Sequence, residues 1–360
     1  MPLRPHQLDA LDAMANHSKG QIIVPTGGGK TMCMIDDAER SGGTIVVVAP
    51  RILLAEQLSS EFLEQIDNVS VMHVHSGETP HYSSTKANDI AEWTLLNRLF
   101  GKRSLIFTTY HSLHRVQQSG IPVDTIYFDE AHNSVNRNFF PATKFYGTRG
   151  ASRCFFFTAT PKHSLTPFKA GMNNTEVYGN VLINVPAPKL VKEGYILPPK
   201  VEVYKSRLLR KDEIYADVES EHMIGAIDKL EVDKILICAK STKQITNLLY
   251  ASKFQDELAW RGYSWMTITS KTGAIIDGEK VGRDEFFNVL NAWGKDDEKK
   301  FVVLHHSILA EGINVKGLEA ALFMRNMDYI TISQTIGRVI RLGNEYKTHG
   351  KVCVPVYNNV

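Results

Sequence analysis

The run Pro25-Thr26-Gly27-Gly28-Gly29-Lys30-Thr31 has the residue types needed to hold phosphate. Glycines let successive backbone N–H groups turn inward around phosphate oxygens, and the N-terminus of a following helix favours negative charge. The run lies between the strand-like segment QIIV and an amphipathic stretch, the context such a loop requires. Lys30 would reach the β- and γ-phosphates, and the Thr31 hydroxyl would ligate Mg²⁺. The strict pattern has a further Gly six residues before the Lys; Val24 occupies that position here, so the fit is to the looser xxTGxGKT form.

Two further groups complete a set with hydrolytic chemistry. Asp129-Glu130-Ala131-His132 ends the run TIYFD. An Asp at the carboxyl end of a parallel strand sits where ligands bind in open α/β sheets, and Asp129 can hold Mg²⁺, usually through water. Glu130 beside it can orient and deprotonate an attacking water. Gln334, Arg338 and Arg341, in QTIGRVIR, fall at i, i+4 and i+7, one stripe if the segment is helical. Two arginines on such a stripe suit a γ-phosphate held by another domain, a contribution of roughly 10³–10⁵ in rate.

These residues must be positioned by alternating strands and helices. Gln21–Val24, TIVVVA (44–49), SLIFT (104–108), TIYFD (125–129) and RCFFFT (153–158) read as strands. Leu54, Leu58, Phe62 and Ile66 recur every four residues, and Trp93, Leu96 and Leu99 share a predicted helix face. Near-continuous apolar strands separated by helices predict a parallel sheet covered on both faces. Four prolines in NVPAPKLVKEGYILPPK (184–200) break the pattern and disfavour regular structure. Alternation restarts with ILICA (235–239), SWMTIT (264–269), FVVLH (301–305) and ALFM (321–324). The expected organisation is a first domain over 1–185, a linker over 186–200 and a second domain over 201–360.

A length of 360 residues supports two domains with real cores. With 41 basic and 39 acidic residues, no overall field marks a nucleic-acid binder, so any such surface must be local. The four cysteines form no CxxC, and the expectation is buried, reduced thiols in a reducing compartment. No stretch approaches the ~18 apolar residues that span a membrane, and the N-terminus has no apolar signal core. Location in the cytoplasm is expected, a host's if the source is a phage.

In its motifs the chain resembles superfamily 2 helicases and translocases, from about Leu3 to Leu342. Arg4-Pro5-His6-Gln7 is similar to the Q-motif, PTGGGKT to motif I, Ala49-Pro50-Arg51 to motif Ia, Thr108-Thr109-Tyr110 to motif Ib and DEAH to motif II. Thr158-Ala159-Thr160 looks like motif III, Ala310–Asn314 with Lys316-Gly317 like motif V, and QTIGRVIR like motif VI. The style is that of restriction-type motor subunits and UvsW-like phage DNA helicases, with Asn314 where motif V more usually has Asp. The resemblance implies two tandem RecA-like lobes, an α/β fold, flanking an ATP cleft. It implies that Gln7 reads adenine and that residues 25–31 hold ATP, with Pro25, Thr26, Gly27, Gly28 and Gly29 forming the loop. It puts Gly312 and Gln334 near the lobe interface, Mg²⁺ on Thr31 and Asp129, and catalysis on Lys30, Glu130, Arg338 and Arg341. Nucleic acid is expected at Arg51, Thr109, Ser241 and Thr272, with Thr158 and Thr160 coupling it to ATP.

The function so implied is an ATP-dependent helicase or translocase, DNA more than RNA, that binds without sequence preference and in a salt-dependent way. It would act as a monomer or with a partner subunit. Alternatives are an RNA helicase, the motor of a restriction-type complex, or a non-motor clamp. His73 and His75 share a strand face as a possible metal pair, but no third ligand is evident nearby, so they read as structural.

Overall fold

The computed structural model describes residues 2–195, 199–206, 209–306, 317–324 and 350–357. They form two compact units, Met1–Lys189 and Leu190–Val360.

The first unit is built on seven parallel strands: β1 (Lys19–Ile23), β2 (Thr44–Ala49), β3 (Val69–Val74), β4 (Arg103–Thr109), β5 (Val123–Phe128), β6 (Ala151–Thr158) and β7 (Val181–Asn184). Their order is β3-β4-β2-β5-β6-β1-β7. The β-branched and aromatic runs form the central strands because both faces are covered. All six residues of β2 are buried, and Phe155, Phe156 and Phe157 of β6 are fully buried, with Phe156 stacked on Phe128 at 4.8 Å. The helices include α1 (Pro5–Asn16), α2 (Lys30–Arg40), α3 (Ile52–Gln65) and α4 (Ala87–Leu99).

Helix α4 differs from expectation. Its buried positions are Ile90, Thr94 and Asn97, whereas Leu96 and Leu99 are exposed. Polar groups can occupy the inner face because each is satisfied: Thr94 Oγ1 donates to the Ile90 carbonyl at 2.8 Å and Asn97 Nδ2 to Ser104 Oγ at 3.0 Å.

The second unit has strands β8 (Pro199–Ser206), β9 (Lys234–Cys238), β10 (Ser264–Thr269), β11 (Gly273–Ile276), β12 (Glu279–Val281), β13 (Phe301–His305), β14 (Ala320–Phe323) and β15 (Gly350–Tyr357). The order is β12-β11-β10-β13-β9-β14-β15-β8. Only β11 and β12 run antiparallel to their neighbours. Sequence reading passed over this edge hairpin, although Asp277-Gly278, with φ of 45° and 91°, is the two-residue turn that joins β11 to β12.

The proline-rich stretch is also more regular than expected. A helix runs Ala187–Lys192, and β8 begins at Pro199. Pro188 lies in the helix's first turn, where its missing N–H costs nothing. Cys33, Cys154 and Cys238 are buried and form no disulfide among the described residues; burial, reinforced by Asp36, pushes the Cys33 thiol up to about 12. Among the described residues no helix is long and apolar enough to cross a membrane.

Candidate nucleotide site

All the first unit's motif residues gather at one edge of its sheet, the carboxyl ends of the strands. The glycine loop follows β1, Arg51 follows β2, Thr109 ends β4, Asp129 follows β5 and Thr158 ends β6. Parallel strands make this convergence obligatory, since every crossover returns the chain to the same end.

The loop is shaped by Gly27 and Gly29, both at φ 85°, a left-handed conformation that excludes other residues sterically. Lys30 is the first residue of α2, with Gly29 as its N-cap. The start of α1 holds the loop from behind. An Arg4 guanidinium N–H donates to the Gly27 carbonyl at 3.1 Å, His6 Nε2 lies 2.6 Å from the Gly28 carbonyl, and Gln7 Nε2 donates to the Gly29 carbonyl at 3.0 Å. Gln7 Oε1 also accepts from the Arg4 backbone N–H at 2.8 Å. The resemblance gave Gln7 the adenine. In the structure Gln7 is buried, and its amide bonds the Gly29 carbonyl at one end and the Arg4 N–H at the other, which ties α1 to the glycine loop. The parts of Arg4 and His6 had no sequence signal beyond their adjacency to Gln7.

Lys30 Nζ lies 3.4 Å from Glu130 Oε1, with both side chains buried. Glu130 has φ 48° and caps the short helix Ala131–Val135. Burial first, and then the Glu130 charge, push the neighbouring Asp129 carboxyl up to about 7, while Lys30 opposes. The Asp129 backbone is fixed by its N–H to the Val48 carbonyl at 2.8 Å and by the Tyr110 hydroxyl, which donates to the Asp129 carbonyl at 2.7 Å.

A polar chain leaves this pair toward β6. His132 Nδ1 lies 3.7 Å from Glu130 Oε2 and 3.0 Å from Thr158 Oγ1. Thr158 Oγ1 accepts the Thr160 backbone N–H at 3.1 Å, and the Thr158 carbonyl accepts the Val24 N–H at 3.1 Å. The hydroxyl oxygens of Thr26 and Thr160 are buried without a hydrogen-bond partner among the described residues. Buried polar atoms are nearly always satisfied, so two orphans on the segments that follow β1 and β6 fit a site that takes a polar ligand.

The other candidates divide. Arg51 is exposed at the N-cap of α3. Thr109 is buried at the end of β4. In the second unit, Ser241 Oγ caps the helix Thr242–Tyr250 by accepting the Gln244 N–H at 3.2 Å. Thr272 Oγ1 lies 2.6 Å from Thr269 Oγ1. A crevice of about 220 Å³ at the carboxyl ends of β9, β10 and β13 is lined by Ser241, Lys243, Ser270, Lys271 and His306 among others. Lys243, Ser270 and Lys271 were not singled out from sequence; their common crevice depends on three separate strands ending together. Gly312, Gln334, Arg338 and Arg341 lie outside the described residues.

Residues 1–163 match the family described as "Type III restriction enzyme, res subunit". The fold of the chain is also similar to solved structures. With the ATP-dependent Type ISP restriction-modification enzyme LlaBIII bound to DNA, the TM-score is 0.78 at 18% identity, over 99% of this chain and 28% of that one. With a nuclease-deletion mutant of the Type ISP enzyme LlaGI in complex with a DNA substrate mimic, it is 0.69 at 18% identity, over 99% and 27%. With a fragment of a putative HsdR subunit of a type I restriction enzyme from Vibrio vulnificus YJ016, it is 0.60 at 14% identity, over 97% and 62%. The chain thus spans little more than a quarter of the two Type ISP enzymes. No curated protein gives a match. The expected α/β fold with RecA-like sheets holds in both units.

Proposed function

We propose that the protein is an ATP-hydrolysing motor that moves along or remodels DNA. The observation that carries the reading is the meeting of Lys30, Asp129 and Glu130 at the mouth of the glycine loop. In this reading residues 25–29 and the α2 N-terminus receive the triphosphate, and Lys30 binds its β- and γ-oxygens. Thr31 and Asp129 would hold Mg²⁺, which when bound neutralises charge on the transferring phosphate. Glu130 orients the attacking water and takes its proton on a carboxylate oxygen. Arg338 and Arg341 are assigned, from sequence, to the γ-phosphate charge. The His132–Thr158–Thr160 chain is the route by which nucleic acid and nucleotide sense each other.

DNA rather than RNA is favoured by the fold likeness to enzymes solved with DNA. Arg51 and the Ser241–Lys271 crevice supply the backbone-contacting groups, so binding would be insensitive to sequence and weaken steeply with salt. The length of the Type ISP enzymes also supports a second reading, a motor whose target recognition comes from other domains or a partner.

The test is the steady-state ATPase rate without nucleic acid and with single-stranded DNA, forked DNA or RNA, with Lys30→Ala as the contamination control. Stimulation by DNA, lost in the variant, is the expected result. Stimulation by RNA alone would overturn the choice of nucleic acid. Stimulation by none would favour the partner-dependent motor or a clamp.

A further inference from the structure

Glu56 on α3 and His73 on β3 approach each other on the far side of β4 from the phosphate loop, together with His75 just beyond β3. The sequence offered two histidines without a third ligand; the fold supplies it, because α3 packs its Glu56 over the end of the edge strand β3. His73 Nδ1 lies 3.2 Å from Glu56 Oε1, His75 Nε2 lies 3.4 Å from the same oxygen, and the two ring nitrogens are 3.1 Å apart. Three ligand atoms around a tetrahedral ion at ~2.0–2.1 Å stand ~3.3–3.4 Å from one another, so these atoms already outline one face of such a shell.

The surroundings fit the same purpose. The His73 and His75 side chains are almost wholly buried while Glu56 is 23% exposed, which leaves an approach on the carboxylate side. Glu56 Oε1 is itself buried, and neither ring presents it with the directed N–H of a hydrogen bond. His73 is oriented from behind, its Nε2 lying 2.9 Å from Ser59 Oγ, the outer contact that ligating histidines use to fix ring and tautomer. The ring of His81 stacks flat on His73 at 4.9 Å.

We propose that Glu56, His73 and His75 form a site for a Zn²⁺-class divalent ion, with the fourth position open to solvent. Two imidazoles and a carboxylate are a Zn²⁺ donor set rather than a Mg²⁺ or Ca²⁺ one. Bound metal would pin α3, whose N-cap is Arg51, to the sheet edge. The competing arrangement is a metal-free hydrogen-bonded pair. The Gly77 N–H reaches His75 Nδ1 at 3.2 Å, which places the neutral ring's proton on Nε2, facing His73. Metal binding requires that proton to leave Nε2 and the ring to carry it on Nδ1 instead, at the expense of the Gly77 bond.

The experiment uses the whole chain stripped with chelator and titrated with Co²⁺ and then Zn²⁺, in an Asp129→Asn background that removes the phosphate-loop cation site. The expected result is one ion per chain, an intense four-coordinate Co²⁺ visible spectrum displaced by Zn²⁺, and a rise in melting temperature with Zn²⁺. Glu56→Gln, isosteric at a partly exposed side chain, and His75→Ala should each weaken uptake at least tenfold. Glu56→Gln should also leave the metal-free melting temperature near that of its parent. The proposal is overturned if the parent takes up no ion, if its Co²⁺ spectrum is the pale six-coordinate form, or if Glu56→Gln binds as tightly as the parent.

Discussion

The Lys30 ammonium rests 3.4 Å from Glu130 Oε1, joining two residues a hundred positions apart in the sequence at a buried site. The amine suited to phosphate and the carboxylate suited to activating water therefore neutralise each other. In the proposed mechanism an incoming triphosphate would compete for Lys30 and so free Glu130 to act as a base, linking nucleotide binding to base activation through one contact.

Glu130→Gln keeps the shape of that contact and removes the base. Turnover should fall by roughly 10²–10⁴ while nucleotide affinity is retained or tightened. Steady-state ATPase measurements beside a nucleotide titration decide it; wild-type turnover would take Glu130 out of the mechanism.

Asp129 gives the protein a pH dependence of defined sign. Its native carboxyl titrates near 7, against an ordinary value of 3.8. Between those values the native state binds more protons than the unfolded one, so this residue's contribution to stability falls as pH rises. Mg²⁺ needs the ionised carboxylate, so its affinity should rise as pH passes about 7, with release of a proton. Mg²⁺ titrations at about pH 6 and pH 8 should show tighter binding at the higher value, a difference that Asp129→Asn abolishes.

Gly29→Ala tests the clamp on the phosphate loop. The position has φ 85°, and an added Cβ would stand 2.2 Å from Gln7 Nε2. The left-handed conformation alone costs an L-residue about 1–2 kcal/mol, so nucleotide binding should weaken by about tenfold or more. Adding Gln7→Ala removes the collision and not the backbone cost, so the double variant should recover only part of the loss.

At its other end α2 is tied to the sheet. Arg153 makes a two-pronged pair with Asp37 at 2.7 and 2.9 Å, donates to the Met14 carbonyl of α1 at 3.1 Å, and Asp37 also accepts the Tyr127 hydroxyl. Removing Asp37 leaves the partly exposed Arg153 guanidinium and the buried Tyr127 hydroxyl without this partner, so Asp37→Ala should lower unfolding free energy by about 1–3 kcal/mol. Urea denaturation is the measurement; a loss under about 1 kcal/mol would show that the pair is a surface contact in effect.

Thr158→Val removes the hydroxyl that joins His132 to the Thr160 N–H. One hydrogen bond is worth about 0.5–1.5 kcal/mol, so the ratio of DNA-stimulated to unstimulated ATPase should fall by about two- to tenfold. An unchanged ratio would remove Thr158 from the coupling route.

The local chemistry was legible in the residues themselves. Glycines at positions 27–29 before Lys30 have few other uses, and β-branched runs such as TIVVVA are too short for helices and too apolar for edges. Strand alternation and the parallel sheets followed from that pattern. What the sequence could not carry was proximity between distant segments. The turn of Gln7 onto the loop, the Asp37–Arg153 tie and the third ligand beside His73 and His75 each depend on which elements the crossovers bring together. The polar inner face of α4 misled the reading for a related reason: a periodic pattern marks which residues are apolar, whereas burial is decided by the partners a face meets. Sequence by itself determined the glycine loop, the order of the motifs and the class of fold, because those are properties of short runs and their periods. Only the tertiary structure decided which charges touch, which hydroxyls are left without partners and which helix lies over which strand, because these are set by packing between residues far apart in the chain.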